Sequence, residues 1–205
     1  VIIISLRRAS RLALSLLVAA VAPAACAVDS SDPSSHEDVS SAKQAVTPAP
    51  NHEWLFQETG GTTTSDAVAV GPVTGTLGAS ASLGGGEVTL SANGAYDPAS
   101  YVDFGTTAAA FGTGDFTVAH WYQTTFSGDG NLGDILGNRV DSSGGTFFSA
   151  RLHSEGYVTF EIDDGANGDT YACASTSATV NDGAWHHLAY VRQGTTVTIY
   201  VDGVA

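Results

Sequence analysis

Basic side chains are scarce in this sequence. Seven Lys and Arg stand against 21 Asp and Glu, for a formal net charge of −14. Arg7, Arg8 and Arg11 precede every acidic residue, since the first acid is Asp29. Beyond that point only Lys43, Arg139, Arg151 and Arg192 balance all 21 acids. A surface so acidic repels phosphate backbones and anionic lipid, which excludes nucleic acid as a partner class. Neutral glycans, cationic groups and divalent cations stay open.

Other absences narrow the class further. Methionine is missing and Val1 comes first, so an alternative start codon or a missing start is expected. No apolar run reaches the roughly 20 residues of a bilayer-spanning helix; the stretch from Leu12 to Ala22 falls well short. Following an Arg-bearing segment, that stretch reads as the apolar core of an export signal over residues 1–27. Two processing sites fit. Pro23-Ala24-Ala25-Cys26 resembles a bacterial lipobox, with Pro23 where an aliphatic residue is usual, and would make Cys26 a lipidated N-terminus. Ala25-Cys26-Ala27 also fits the small-x-small pattern of ordinary signal peptidase.

The product is then a cell-surface or periplasmic lipoprotein, or a secreted protein, that meets the membrane only through a lipid on Cys26. Cysteine is limited to Cys26 and Cys173. With Cys26 acylated or discarded, Cys173 has no intrachain partner, so no disulfide framework is expected despite export. Cys173 is expected to pack as a small hydrophobe. Residues 28–50 are rich in Ser, Asp, Pro and Ala, without helical or strand periodicity, and read as a flexible tether.

From Asn51 to Ala205 no convincing helix pattern appears. Glycine is abundant, 24 residues, and Gly/Asp/Asn/Ser clusters punctuate short apolar segments, the rhythm of an antiparallel all-β sandwich. Strands are expected at 52–58, 88–90, 101–104, 116–124, 135–139, 146–153, 157–163, 170–175, 185–192 and 196–202. Several are apolar on both faces. Phe116, Val118, His120 and Tyr122 share one side, and Thr117, Ala119 and Trp121 the other. Trp185, His187, Ala189 and Val191 oppose His186, Leu188, Tyr190 and Arg192 in the same way. Alternation alone leaves open which face is core.

The closing hairpin carries a resemblance. Asp182-Gly183-Ala184-Trp185-His186-His187-Leu188-Ala189, followed by Ile199-Tyr200-Val201-Asp202-Gly203, resembles the signature of laminin-G-like domains of the concanavalin A-like lectin/glucanase superfamily. Gly114-Asp115-Phe116-Thr117-Val118-Ala119-His120-Trp121 and Tyr101-Val102-Asp103-Phe104-Gly105 resemble its upstream strands. Trp54-Leu55-Phe56 and Gly75-Thr76-Leu77 resemble its opening. The resemblance covers residues 51–205 and implies a jelly roll of two packed, curved sheets. It also implies further strands after the hairpin, so a C-terminally incomplete domain with an exposed sheet edge is expected.

The superfamily includes glycoside hydrolases, whose laminarinase-type members carry Glu-x-Asp-x-(x)-Glu on one strand, so that alternation gathers the acids on one face. Glu161-Ile162-Asp163 begins that pattern, but Gly165 and Ala166 stand where the last Glu belongs. The proton donor is missing and no catalytic residue is assigned. His186 and His187 are adjacent on a strand, so they point to opposite sides and cannot jointly chelate one ion. Calcium is the one cofactor carried forward. Its candidate ligands are Asp129, Asn131 and Asp134 in one loop, and Asp163, Asn167 and Asp169 in another, as carboxylates and amides on loops suit that ion; turn chemistry is the competing reading for both loops.

The function expected is a non-catalytic recognition module binding a glycan or an extracellular protein. Tyr122, Tyr157, Tyr171 and Tyr190 are the candidate stacking platforms. The alternatives are an architectural cell-surface domain without a ligand and a degenerate glycoside hydrolase.

Overall fold

Alternating side chains along a few long strands decide this architecture. The computed structural model describes residues 2–4, 49–68, 70–90, 97–127, 133–139, 145–165 and 171–205. Among them there is strand and turn but no helix. In chain order the strands are β1 (Ile2–Ile4), β2 (His52–Trp54), β3 (Thr63–Thr64), β4 (Gly75–Leu77), β5 (Ala81–Gly84), β6 (Glu87–Leu90) and β7 (Val102–Asp103). They continue as β8 (Phe116–Gln123), β9 (Gly133–Gly137), β10 (Thr146–Leu152), β11 (Val158–Asp164), β12 (Tyr171–Ser175), β13 (Trp185–Gln193) and β14 (Thr196–Val201). The two principal sheets run β14-β13-β8-β1-β2 and β12-β11-β10-β9, beside the smaller β3-β4-β7 and β5-β6. Every pairing except those of β1 is antiparallel. The all-β antiparallel class expected from the sequence is the class observed.

One core joins the two principal sheets. Val118, Leu188, Tyr190, Ile199 and Val201 come from the five-stranded sheet, and Phe148, Ala150, Leu152, Val158 and Phe160 from the four-stranded one. The Phe160 and Tyr190 rings meet across the interface at 4.9 Å. Burying a side chain of this size contributes about 1.5–3 kcal/mol. Which face points inward is thereby settled: Phe116, Val118, His120 and Tyr122 on β8, with Leu188 and Tyr190 on β13. His120 is buried with them, its ring stacked on Tyr190 at 5.7 Å. Burial lowers its pKa to about 4, so it sits in the core as the neutral imidazole.

Several elements differ from expectation. β2 stops at Trp54 because Phe56, buried in the core, adopts a φ of 50°, which no strand accommodates. β9 ends at Gly137 because the Asn138 side chain, and not a ladder carbonyl, accepts the Phe148 N–H at 2.8 Å. β3 and β5 were not expected, being too short and polar to show a pattern. β1 was not expected either, as it lies in the stretch assigned to a leader.

Two aspartate-centred clasps fix the loops. Asp66, its side chain fully buried, accepts hydrogen bonds from His52 Nδ1 at 2.6 Å, Glu53 N at 2.9 Å, Val68 N at 3.0 Å and Val73 N at 3.2 Å. Burial opposes its charge, but those four donors outweigh burial and hold its pKa below the usual carboxylate value. At the other end, His186 lies between Asp202, 2.8 Å from Nδ1, and Asp182, 3.1 Å from Nε2. Asp202 also accepts the His187 N–H at 2.8 Å. This clasp ties together the two turns that bracket the β13–β14 hairpin. Burial works against protonation of His186, yet the hydrogen bonds to Asp202 and Asp182 prevail and raise its pKa. Asp182 is lowered by the Ala184 N–H and then by His186. Asp202 is lowered despite burial by the His187 N–H and by His186.

Two outcomes are expected. Asp66→Asn removes the charge that four donors converge on and lowers unfolding stability by about 2–3 kcal/mol in urea titration. The His186 clasp is pH-dependent on both sides. A raised His pKa gives stability that is complete below the unfolded value near 6.5 and is lost as pH rises through the folded one. Lowered Asp pKa values give stability that is complete above the unfolded value near 3.9 and is lost as pH falls through the folded ones. The difference in melting temperature between the native protein and His186→Asn is therefore greatest between about pH 4 and 6.5 and shrinks outside it. Comparing the two removes the background of His120, which they share.

Candidate functional site

The β10–β11 hairpin turns tightly at Gly156, whose φ of 93° and contact with the Asn181 side chain leave no room for a Cβ. That turn sets the register Ser149↔Glu161 and Arg151↔Thr159. With Phe148, Ala150, Leu152, Val158 and Phe160 in the core, the alternate residues of the hairpin face outward: Phe147, Ser149, Arg151, Thr159, Glu161 and Asp163. The outer face of the four-stranded sheet is therefore a polar surface assembled from three strands and the segment after β9.

Its centre is an Arg–Glu–Arg network. Arg139 Nη1 donates to Glu161 Oε2 at 3.0 Å, and Arg151 Nη2 donates to the same oxygen. All three side chains are about three-quarters buried or more. The Arg139 guanidinium also lies 4.3 Å above the Phe147 ring, which explains how an outward phenylalanine is 8% exposed. Arg151 Nε is buried without a hydrogen-bond partner among the described residues. At the hairpin's turn, the rings of His153 and Tyr157 stack at 4.0 Å and 15°, and His153 Nε2 lies 3.1 Å from Thr159 Oγ1. Two of the three arginines after Lys43 thus sit on one face. Paired with Glu161, and with Asp134 and Asp163 nearby on the strands, they make that face close to neutral on an otherwise acidic chain.

The four candidate tyrosines separate by face. Tyr157 is half-buried on the outer face, in the stack with His153. Tyr171 opens β12 in register with Asp163. Tyr190 is corrected: it is 0% exposed, with one neighbour His120 and another Phe160, so no sugar ring can reach it. Tyr122 is partly buried. It packs against the core on the inward side of the other sheet, edge-on to His120, and burial raises its pKa. Cys173, expected to pack, is exposed, because its register with Glu161 turns it to the outer face.

The calcium loops fare differently. Asp129, Asn131, Asn167 and Asp169 lie outside the described residues. Asp134 is exposed on β9 in register with Arg151, while Asp163 on β11 is in register with Phe147, so the two are two strands and four residues apart. That separation exceeds roughly 10 Å, too far to share an ion. Asp163 Oδ1 accepts the Gly165 N–H at 2.7 Å, the turn chemistry that competes with metal binding. Among the described residues no group of three metal-ligating side chains converges. His187 lies edge-on to Trp121 at 5.3 Å, on the opposite side of β13 from His186.

Arg139, Arg151, Phe147 and Ser149 were not singled out from the sequence. A signal existed: few basic residues follow Asp29, and of these Arg139 precedes the hairpin that holds both Arg151 and Glu161. Only the register shows that they meet.

No curated protein and no solved structure matches the chain. A comparison with protein families matches residues 93–205, more than half the chain, to Laminin_G_3, described as the Concanavalin A-like lectin/glucanases superfamily. The matched segment contains β7 to β14, hence both long hairpins and the whole Arg–Glu–Arg face. By strand order, by core and by this match, the chain belongs to the laminin-G-like domains of the concanavalin A-like lectin/glucanase superfamily.

Proposed function

We propose that residues 51–205 form a non-catalytic recognition module that holds a glycan or an extracellular protein against the outer face of the four-stranded sheet. In this reading the module is exported behind the leader (1–27) and the tether (28–50), and lipidation of Cys26 would fix it to a membrane. The observation that carries the proposal is the Arg139–Glu161–Arg151 network. It supplies charged donors and an acceptor already held in place, on a face with little net charge, beside the His153–Tyr157 stack. Uncharged hydroxyl-rich ligands suit such a surface, since their many weak hydrogen bonds gain from partners that need no reordering.

The same network argues against hydrolysis. A retaining glycosidase needs two carboxyls about 5–5.5 Å apart, one of which delivers a proton. Here Glu161 is engaged by two guanidinium groups, Asp163 caps its own turn, and Gly165 occupies the place of a third acid.

Isothermal titration of the full chain against a panel of neutral oligosaccharides tests the reading. One class is expected to bind, and Arg151→Ala and Tyr157→Ala are each expected to weaken it about tenfold, near 1.4 kcal/mol. No reducing sugar is released. Binding unchanged in both variants would move the site elsewhere. Sugar release abolished by Glu161→Gln would replace the reading with hydrolysis.

A further inference from the structure

The outward side chains of the β10–β11 hairpin stand in rows. The ladder continues past the strand ends, where His153 N donates to Tyr157 O at 2.9 Å, so these two residues form the row nearest the turn. Their rings lie face to face. Arg151 and Thr159 make the next row, then Ser149 and Glu161, then Phe147 and Asp163. At an antiparallel rise of about 3.4 Å per residue, the stretch from Tyr157 to Asp163 extends over roughly 20 Å. Arg139 joins at the far end, its guanidinium over the Phe147 ring. Aromatic and cationic groups thus follow one another along the hairpin.

The crosswise direction offers less. The row through Glu161 runs to Cys173 on β12 and, past Ser149, to Gly137 on β9. One end is a thiol and the other has no side chain. The row through Arg151 and Thr159 ends in Asp134 and Ser175, neither of them aromatic. Glu161, engaged by both guanidinium groups, lies between the two ends of the lengthwise array and roughly 13 Å from Tyr157 along β11. A pyranose ring is about as wide as a tyrosine ring, so no single sugar reaches from the network to the stack. A unit seated on the network has groups to contact on either side of it along the hairpin, which is the situation of an internal unit in a chain. Once one unit is seated, the contacts of its neighbours form at high effective concentration. Charge along the line is balanced, Arg139 and Arg151 against Glu161 and Asp163, so an ionised chain gains no net attraction.

We propose that the ligand of this face is the interior of a linear, uncharged oligosaccharide lying lengthwise along the β10–β11 hairpin. One unit rests on Tyr157, one on the Arg139–Glu161–Arg151 network, and the chain ends take no part. The inference rests on the recognition reading above and adds to it the length of the ligand, its direction on the sheet and its lack of a recognised terminus.

The probes are cello-, xylo-, manno- and malto-oligosaccharides, each from disaccharide to hexasaccharide, titrated against the full chain. In the series that binds, affinity is expected to rise at least tenfold from disaccharide to hexasaccharide, and reducing the hexasaccharide's terminal unit to its alditol is expected to change nothing. Arg151→Ala is expected to weaken every length alike. Tyr157→Ala is expected to weaken the hexasaccharide about tenfold and to leave the disaccharide unchanged. Tyr157→Phe, which keeps the ring, and Cys173→Ala, on the crosswise row, are expected to bind as the native protein does. The length series and the alditol need only the native chain, so they decide the matter even if Tyr157→Ala fails to fold. A disaccharide that binds as tightly as the hexasaccharide, an alditol that loses binding, or a Tyr157→Ala loss equal at every length overturns this inference and leaves glycan recognition standing. Binding by no member of any series removes glycan recognition at this face, and the inference with it.

Discussion

Eight consecutive pairs, from Trp185 opposite Gln123 to Arg192 opposite Phe116, lock β13 to β8. That register sends Val118, His120, Leu188 and Tyr190 toward Phe160 and the four-stranded sheet. A slip of β13 by one residue would turn Leu188 and Tyr190 outward and bring His187 and Ala189 inward. The core could not fill with such a set, and the Phe160–Tyr190 contact would vanish. The position of the four-stranded sheet, and with it the direction in which Arg151 and Glu161 point, depends on this pairing.

The acidity of the chain acquires a structural meaning in the loops. Asp66, Asp97, Asp103, Asp163 and Asp182 each accept the backbone N–H two residues on, at Val68, Ala99, Gly105, Gly165 and Ala184. Asp115 accepts Gly194 N across the sheet end. A sandwich of short strands has many turns, and an aspartate that hydrogen-bonds forward stabilises a turn without a metal. These six carboxylates serve as caps, and Asp163, one of the candidate calcium ligands, is among them.

These features differ in how far the sequence revealed them. The β13–β14 hairpin was legible because turn residues and alternation agree: Asp182-Gly183, Gln193-Gly194 and Asp202-Gly203 frame two apolar runs. The β10–β11 hairpin was legible for the same reason. Alternation sorted their residues into two sets but could not say which set was buried, since both contain apolar residues. Tyr190 and Tyr157 looked alike, and only the packing of two sheets separates the core tyrosine from the outward one. β1 was illegible in principle. Three isoleucines suit a strand anywhere, and the partners that make them one are Val118–His120 and His52–Trp54, far along the chain. The left-handed Phe56 likewise reflects tertiary packing that overrides local preference.

The Arg–Glu–Arg face joins these strands of argument. Each guanidinium is restrained before any ligand arrives. Arg139 is held by Glu161 and by the Phe147 ring, and Arg151 by Glu161. Long side chains normally lose about 1–2 kcal/mol of rotamer entropy on binding, and here part of that loss belongs to folding instead. The rigidity comes from below: Phe148, Ala150 and Phe160 anchor the strands, their outward neighbours inherit fixed directions, and Glu161 cross-links two of them. Such a face suits the recognition role proposed above, in which the Glu161 carboxylate holds the arginines still.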